Sequence, residues 1–283
     1  MAVKYCEFCL DKKLEREKAE ILVIGVPFEG NVNTRGGSSN GPEAIRKASD
    51  CIESYSPFFQ KDLSDFKIYD DGDITVRGKG KLALEAIAGA VWKRMAKGIK
   101  PVFLGGDHSI SYGIVKALVS KGYDFNLLHL DAHTDSQDEF SGDSWSYANW
   151  VRRARDFFKG DIYQLGIRTG TKEDLDYASK AHKLFLSPQF VEGLRYVSEK
   201  SKGKNLYVSI DIDVMDPSLA PGTSNPVYGG LNADHLQALF HVLKKANVIG
   251  IDVVEVAPNL DPSGRTAILA AEIVRDAILA WWG

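Results

Sequence analysis

The sequence predicts an α/β protein with a parallel sheet covered by helices on both faces. Three observations carry this. Short apolar runs alternate with segments of helical periodicity along the chain, no Ser- or Pro-rich linker interrupts them, and acidic and histidine residues recur just beyond several apolar runs. With 283 residues and 44% hydrophobic content, the chain can bury a large core, and residues 1–283 are expected to form a single domain.

Taken in order, the run from Ala19 to Phe28 reads as a buried strand, followed by a Gly-rich loop and a helix from Pro42 to Asp50. Pro42 suits the first helical turn, where its missing donor costs little. A short strand is expected over Ile68 to Thr75. From Leu82 to Lys97, apolar residues at helical spacing predict a core-facing helix that stops at Gly98. Pro101 to Gly106 reads as a strand, Ser109 to Ser120 as a helix, Asn126 to Leu130 as a strand and Tyr147 to Phe158 as a helix. Further strands are expected at Ile162 to Ile167, Leu184 to Leu186, Leu206 to Val214 and Val248 to Val256. The remaining helices are expected near Lys172 to Ala181, Phe190 to Glu199, Ala233 to Ala246 and Arg265 to Trp281. About eight strands with crossover helices fit an open parallel sheet or a closed barrel equally well.

Composition narrows the partners. The 35 basic and 38 acidic residues give a net charge of -3 without a long block of either sign, which argues against nucleic acid and anionic membrane surfaces. No apolar run approaches the roughly 18–20 residues of a membrane span, and the N-terminal stretch lacks the apolar core of a signal peptide, so the cytoplasm is the expected compartment. Three cysteines are too few for a disulfide framework; Cys6 and Cys9 are expected to be ordinary reduced thiols.

The chemistry gathers at strand ends. Asp107 and His108 follow one strand, Asp131, His133 and Asp135 the next, Asp211 and Asp213 lie at the end of a third, and Glu255 at the end of a fourth. Both candidate architectures place ligand sites beyond the C-terminal strand ends. If extended backbone persists past Leu130, Asp131, His133 and Asp135 share one face. Carboxylates crowded in this way repel one another and lose hydration, and a bound cation removes both penalties. Two imidazoles and four carboxylates suit a hard, higher-coordinate ion such as manganese better than a structural zinc. Six such residues can serve two metals, with a hydroxide held between them as nucleophile.

The segments GGDHS (105–109), DAHTD (131–135), SIDIDVMDPSLAPG (209–222) and GIDVVEVAP (250–258) resemble the signature segments of the ureohydrolase family, which contains arginases and agmatinases; GVPFEG and NGPEAIRKAS resemble its opening segments. The resemblance implies a three-layer α/β/α fold with a central eight-stranded parallel sheet, and two Mn²⁺ ions. It assigns one ion to His108, Asp131, Asp135 and Asp211, and the other to Asp131, His133, Asp211 and Asp213. It also implies that Asp135 moves the proton of the attacking hydroxide, that Glu255 orients a guanidinium, and that the chain assembles as a homo-oligomer, a trimer or hexamer.

The implied reaction hydrolyses a guanidino compound to urea and an amine. The stretch DEFSGDSWSYA resembles the loop of shorter agmatinases, and the arginase pattern for an α-carboxylate and α-amine is not present. Two departures bear on substrate. Tyr147 stands where similar loops carry a histidine thought to shuttle protons, and Asn225 and Val227 stand where Thr and Glu are frequent. A tyrosine with a reference pKa near 10 is a poor proton shuttle at neutral pH. Alternatives are therefore a formiminoglutamate or guanidino-acid hydrolase, or a metal-holding regulatory subunit of low turnover. His129 is expected to be a satisfied neighbour of the site, and His182, His235 and His241 to be unrelated to it. Trp281 and Trp282 are expected to cap the core or a subunit contact.

Overall fold

The computed structural model describes Phe8 and residues 13–30, 35–96 and 98–283. Its centre is a parallel sheet of β1 (Ile21–Val26), β4 (Ile68–Asp73), β5 (Lys100–Gly105), β6 (Phe125–Leu130), β7 (Ile162–Ile167), β8 (Lys183–Leu186), β9 (Asn205–Asp211) and β10 (Asn247–Val254). Their spatial order is β4-β1-β5-β10-β9-β6-β7-β8, so the sheet is open and the barrel alternative is excluded. A two-stranded antiparallel ribbon, β2 (Tyr55–Ser56) with β3 (Lys61–Asp62), stands apart; two-residue strands show no readable alternation, and the sequence does not signal them.

Alternation along the strands builds two cores. In β1, Ile21 and Val23 face one side while Leu22, Ile24 and Val26 face the other; in β5, Val102 and Leu104 oppose Phe103. The first side is covered by α1 (Gly41–Ala48), α6 (Phe190–Lys200), α7 (Ala233–Leu243) and α8 (Arg265–Trp281), which contribute Ile45, Leu194, Leu239 and Val274. The second is covered by α2 (Gly80–Arg94), α3 (Ile110–Ser120) and the short α4 (Trp150–Ala154), which contribute Ile87, Ile114 and Trp150. Burial on both faces is why these strands read as unbroken apolar runs. α5 (Lys172–Ala181) leans on edge strand β8. Trp281 packs against Phe240 with ring centres 5.4 Å apart, and Trp282 Nε1 donates to the Val248 carbonyl at 2.8 Å, so both cap the core.

Connectivity decides where the site lies. The chain lays β1, β4 and β5 on one half of the sheet and β6, β7 and β8 on the other, then fills the centre with β9 and β10. The four central neighbours β5, β10, β9 and β6 are the strands whose ends carry His108, Glu255, Asp211 and Asp131. Adjacent parallel strands lie about 4.8 Å apart, which brings four distant stretches of sequence into one crevice.

Two boundaries differ from the sequence expectation for physical reasons, and the backbone does not stay extended past Leu130. Strand β6 ends there as expected, and the Asp131 carboxylate then accepts the His133 N–H and turns the chain. Strand β9 stops at Asp211, whose Oδ1 accepts the Asp213 N–H at 2.7 Å and opens a 3₁₀ turn over Ile212–Val214. The helix expected from Tyr147 to Phe158 is a 3₁₀ turn, Tyr147–Asn149, followed by only five α-helical residues. There Asn149 Oδ1 accepts from the Ser146 N–H and hydroxyl while its amide donates to the Gln137 carbonyl, so the loop's polar groups are satisfied without a full helix. Cys6 and Cys9 lie outside the described residues; Cys51 is an exposed free thiol.

Candidate metal centre

The turn after β6, not an extended strand, gathers the central residues. Asp135 adopts φ 48°, a left-handed backbone uncommon for a non-glycine residue, and Glu255 ends β10 at φ 63°. Glu255 is held there by its N–H to the Gly106 carbonyl at 2.8 Å and by the His108 N–H donating to its Oε1 at 2.8 Å. Uncommon backbone at two residues of one crevice is what a site held in shape by its surroundings displays.

His108 Nδ1 faces three carboxylate oxygens: Asp131 Oδ2 at 3.0 Å, Asp135 Oδ2 at 3.1 Å and Asp211 Oδ2 at 3.2 Å. His133 Nδ1 faces Asp213 Oδ2 at 2.9 Å and Asp131 Oδ1 at 3.3 Å. Asp131 thus gives one oxygen to each group. The six residues named from the sequence all meet here; His133 is the most accessible, with its side chain 29% exposed.

These contacts are poor hydrogen bonds and good coordination edges. His108 Nδ1, His129 Nε2 and Asp131 Oδ2 are buried without a hydrogen-bond partner although they crowd together. Neighbouring ligand atoms of an octahedral ion with bonds of about 2.1 Å lie about 3.0 Å apart, which is the spacing around His108. The donor set is oxygen-rich, buried and shared, and it fits two divalent ions.

Charge balance points the same way. Burial would depress the imidazole of His108, yet Asp131, Asp135 and Asp211 raise its pKa well above the ordinary value; Asp213 and Asp131 do the same to His133. Burial, then the charges of Asp213 and Asp131, push Asp211 well above the carboxylate range. Burial and Asp107 likewise raise Glu255, and burial with Asp131 raises Asp135. Asp131 goes the other way: burial alone would raise it, but His108, His129 and His133 hold it well below its ordinary value.

Three groups outside the six candidate ligands support the centre. His129 is nearer than expected, its Nε2 2.9 Å from Asp131 Oδ2. Its Nδ1 lies 2.9 Å from Gln164 Nε2, which also donates to the Thr134 carbonyl; that makes Nδ1 the acceptor and puts the ring proton on Nε2, facing Asp131. His129 is thus a neighbour of the centre, as expected, but not a satisfied one: its Nε2 meets Asp131 without forming a hydrogen bond. Its position two residues before Asp131, on the same strand face, was a signal for this closeness. Trp150 donates Nε1–H to Asp135 Oδ2 at 2.9 Å and lies 5.0 Å from the His108 ring. Ser209 Oγ sits 2.9 Å from His108 Nε2 and donates to Asp252 Oδ1 at 2.7 Å, an arrangement that keeps His108 Nδ1 turned toward the carboxylates. Ser209 and Asp252 were visible as polar interruptions in apolar strands.

A cavity of about 190 Å³ opens on the cluster, lined among others by His133, Asp135, Tyr147, Asn225 and Glu255. The Tyr147 ring meets Phe140 edge-on, with centres 5.6 Å apart. Val227 offers its carbonyl to Arg168 Nε and Nη2 at 3.1 and 2.8 Å, which ties the loop to β7. His182, His235 and His241 lie away from the cavity lining, and burial lowers His182 to about 3.

A model of the arginase family matches residues 19–280. The chain is 36% identical over 269 residues to an agmatinase of Bacillus anthracis, covering 94% of this chain and 93% of that one. It is 33% identical to the mitochondrial guanidino acid hydrolase of Homo sapiens, over 93% of this chain and 79% of that protein. Among solved structures, a putative agmatinase from Clostridium difficile superposes with a TM-score of 0.86 at 33% identity, covering 94% of this chain and 98% of that one. With its family signature segments meeting in one crevice of an eight-stranded parallel sheet, the chain belongs to the arginase family.

Proposed function

We propose that the protein is a ureohydrolase of the agmatinase type: with two manganese ions it hydrolyses a guanidino compound to urea and an amine. The observation that carries this is Asp131, one of whose oxygens faces His108 Nδ1 and the other His133 Nδ1, so that a single carboxylate is common to both donor groups. His108, Asp131, Asp135 and Asp211 would hold one ion, and Asp131, His133, Asp211 and Asp213 the other. When bound, the ions supply a water-derived nucleophile at neutral pH.

The protein's own groups do the rest. Glu255, facing the cavity, accepts the guanidinium N–H groups and aligns the planar substrate over the centre, a task suited to a carboxylate. Asp135, held by Trp150 and by its left-handed backbone, takes the nucleophile's proton and delivers it to the departing nitrogen. The bond from the guanidino carbon to the alkyl-bearing nitrogen breaks, and the electron pair leaves on the newly protonated amine. Tyr147, on the cavity wall, donates a hydrogen bond to that amine. We take the 283 residues as one cytoplasmic domain that assembles as a homo-oligomer.

A second reading rests on Tyr147. A phenol on the cavity wall is a weak proton shuttle, and a metal-holding regulatory subunit of low turnover would show the same cluster. The test is urea release by manganese-loaded protein from agmatine, aminopropylagmatine, arginine, guanidinobutyrate and guanidine, with an ammonia assay for formiminoglutamate. Each is run with and without chelator, and with Tyr147→His beside the wild type. Chelator-sensitive urea release by the wild type is expected. Silence with every compound, reversed by the histidine, would replace the hydrolase with the low-turnover subunit.

A further inference from the structure

The two donor groups are held in place by different means. Their shared members lie on the sheet itself: the Asp131 N–H donates to the Leu165 carbonyl at 3.2 Å, and Asp211 closes β9 in register with Val254. In the first group His108 is fixed by Glu255 and Ser209, and Asp135 by Trp150. His133 and Asp213, which belong to the second group alone, stand beyond the ends of their strands, each in a turn. Something other than the sheet must hold those turns.

The two turns meet at Arg168, the residue that follows β7. Its N–H donates to the carbonyl of Ala132, between Asp131 and His133, at 2.9 Å. Its guanidinium grips the turn after β9: Nη2 donates to the Asp213 carbonyl at 2.6 Å and to the Met215 carbonyl at 3.3 Å, and Nη1 to the Val214 carbonyl at 3.2 Å. Nε and Nη2 also hold the Val227 carbonyl, on the loop that places Thr223 and Asn225 on the cavity wall. Ala132 closes the arrangement, its own N–H donating to Asp213 Oδ1 at 3.0 Å.

Chemistry explains why an arginine stands there. Among the described residues its guanidinium bonds carbonyl oxygens and no carboxylate, so the charge fixes backbone without occupying a candidate ligand. A planar fork with five N–H donors in fixed directions serves the turn and the loop at once, whereas an ammonium offers three donors from a single point. Carbonyls of a half-buried turn that lose such donors must find water or move.

We propose that Arg168 is the positioning residue of the second donor group: its main chain holds the Ala132 side and its guanidinium the Asp213 side, and together they set the spacing of His133 and Asp213 and so the affinity for the second ion. This rests on the binuclear reading above and assigns the support of one half of it to a residue that supplies no ligand.

Arg168→Lys keeps the charge and most of the stem but not the fork, and Arg168→Met removes every side-chain donor. Manganese is titrated by calorimetry into metal-free wild type and variants, with electron paramagnetic resonance at one and two equivalents to tell isolated from coupled ions. The wild type is expected to bind two ions, the second giving the coupled spectrum. Each variant should keep the first ion at wild-type affinity and bind the second about 10- to 100-fold more weakly, with methionine the weaker binder. At manganese that saturates the wild type, the variants should show isolated ions and reduced urea release, and excess manganese should restore both toward the wild type. If methionine prevents folding, lysine decides. Equal weakening of both ions in Arg168→Lys, or no weakening of either, would overturn the assignment and leave Arg168 a packing contact. A wild type that binds a single ion would defeat the binuclear reading and the assignment together. Two ions bound without urea release would defeat the hydrolase alone, and the titration would still decide on Arg168.

Discussion

Two acid-rich stretches of this chain meet opposite fates. Asp70, Asp71 and Asp73 lie in edge strand β4, and Asp131 and Asp135 flank His133 in the turn after β6. In β4 the acids meet fixed cations: Arg46 reaches Asp70 at 2.8 and 3.0 Å and Asp73 at 2.7 Å, while Arg16 reaches Asp71 at 2.9 Å. Burial would lower the Arg46 guanidinium, but Asp70 and Asp73 raise it further from titration. After β6 the acids meet imidazoles, the Trp150 indole and one another, and among the described residues neither pairs with a guanidinium or ammonium. Acids neutralised by a guanidinium that never loses its proton make an ion-pair network complete in itself. Acids neutralised by groups that can give up their protons make a place for a cation.

The sharpest way to break this contrast is to neutralise one acid in each stretch. Asp211→Asn should lower urea release by on the order of a thousandfold, because a shared ligand is lost. In metal-free protein the same change should raise the thermal midpoint, since burial and neighbouring acids penalise the Asp211 charge and an asparagine still accepts the Asp213 N–H. Asp70→Asn should do the reverse, leaving metal content intact and lowering the midpoint. Paired activity assays and thermal scans read both effects; a destabilised metal-free Asp211→Asn would mean that the cluster is an ordinary ion-pair network.

A smaller effect is expected from the cation side. Arg46→Met leaves Asp70 buried without its partner and should cost about 3–5 kcal/mol. Most of this comes from Asp70, because the Asp73 side chain is 46% exposed and water screens it. At on the order of 2–4 °C per kcal/mol, the midpoint should fall clearly. Metal bound per folded chain, measured by atomic absorption, should not change; a loss of metal would tie the two regions together.

Much of this was legible in the sequence, for identifiable reasons. Strands buried on both faces, such as Ile162–Ile167, read as apolar runs, and α8 shows its apolar face over the full Arg265–Trp281. The ligands were legible because each follows an apolar run. Alternation could not choose between barrel and open sheet, since both bury strands from helices on the outside; that choice rested on family signature segments. Backbone turning at single residues was not legible. The strand's end at Leu130 was legible where the apolar run gives way to DAHTD, but nothing in that composition says that Asp131 turns the chain or that Asp135 takes φ 48°.

The last prediction turns the comparison into a titration. Because the carboxylates around them outweigh burial, His108 and His133 have folded pKa values above the ordinary 6.5. In metal-free protein the stability these imidazolium–carboxylate contacts contribute is fully present below pH 6.5 and is lost as pH rises through the raised values. A metal must displace those protons, so binding should release protons and weaken as pH falls, by about tenfold per pH unit for each proton displaced. With imidazoles of ordinary pKa the dependence would level off just above pH 6.5; here it should persist through neutral pH and beyond. Manganese titrations at stepped pH, in buffers of different ionisation enthalpy, measure both the affinity and the proton count. A flat affinity above pH 7 with no proton release would show imidazoles that are already neutral, and the carboxylates after β6 would then lack the partners that distinguish them from those of β4.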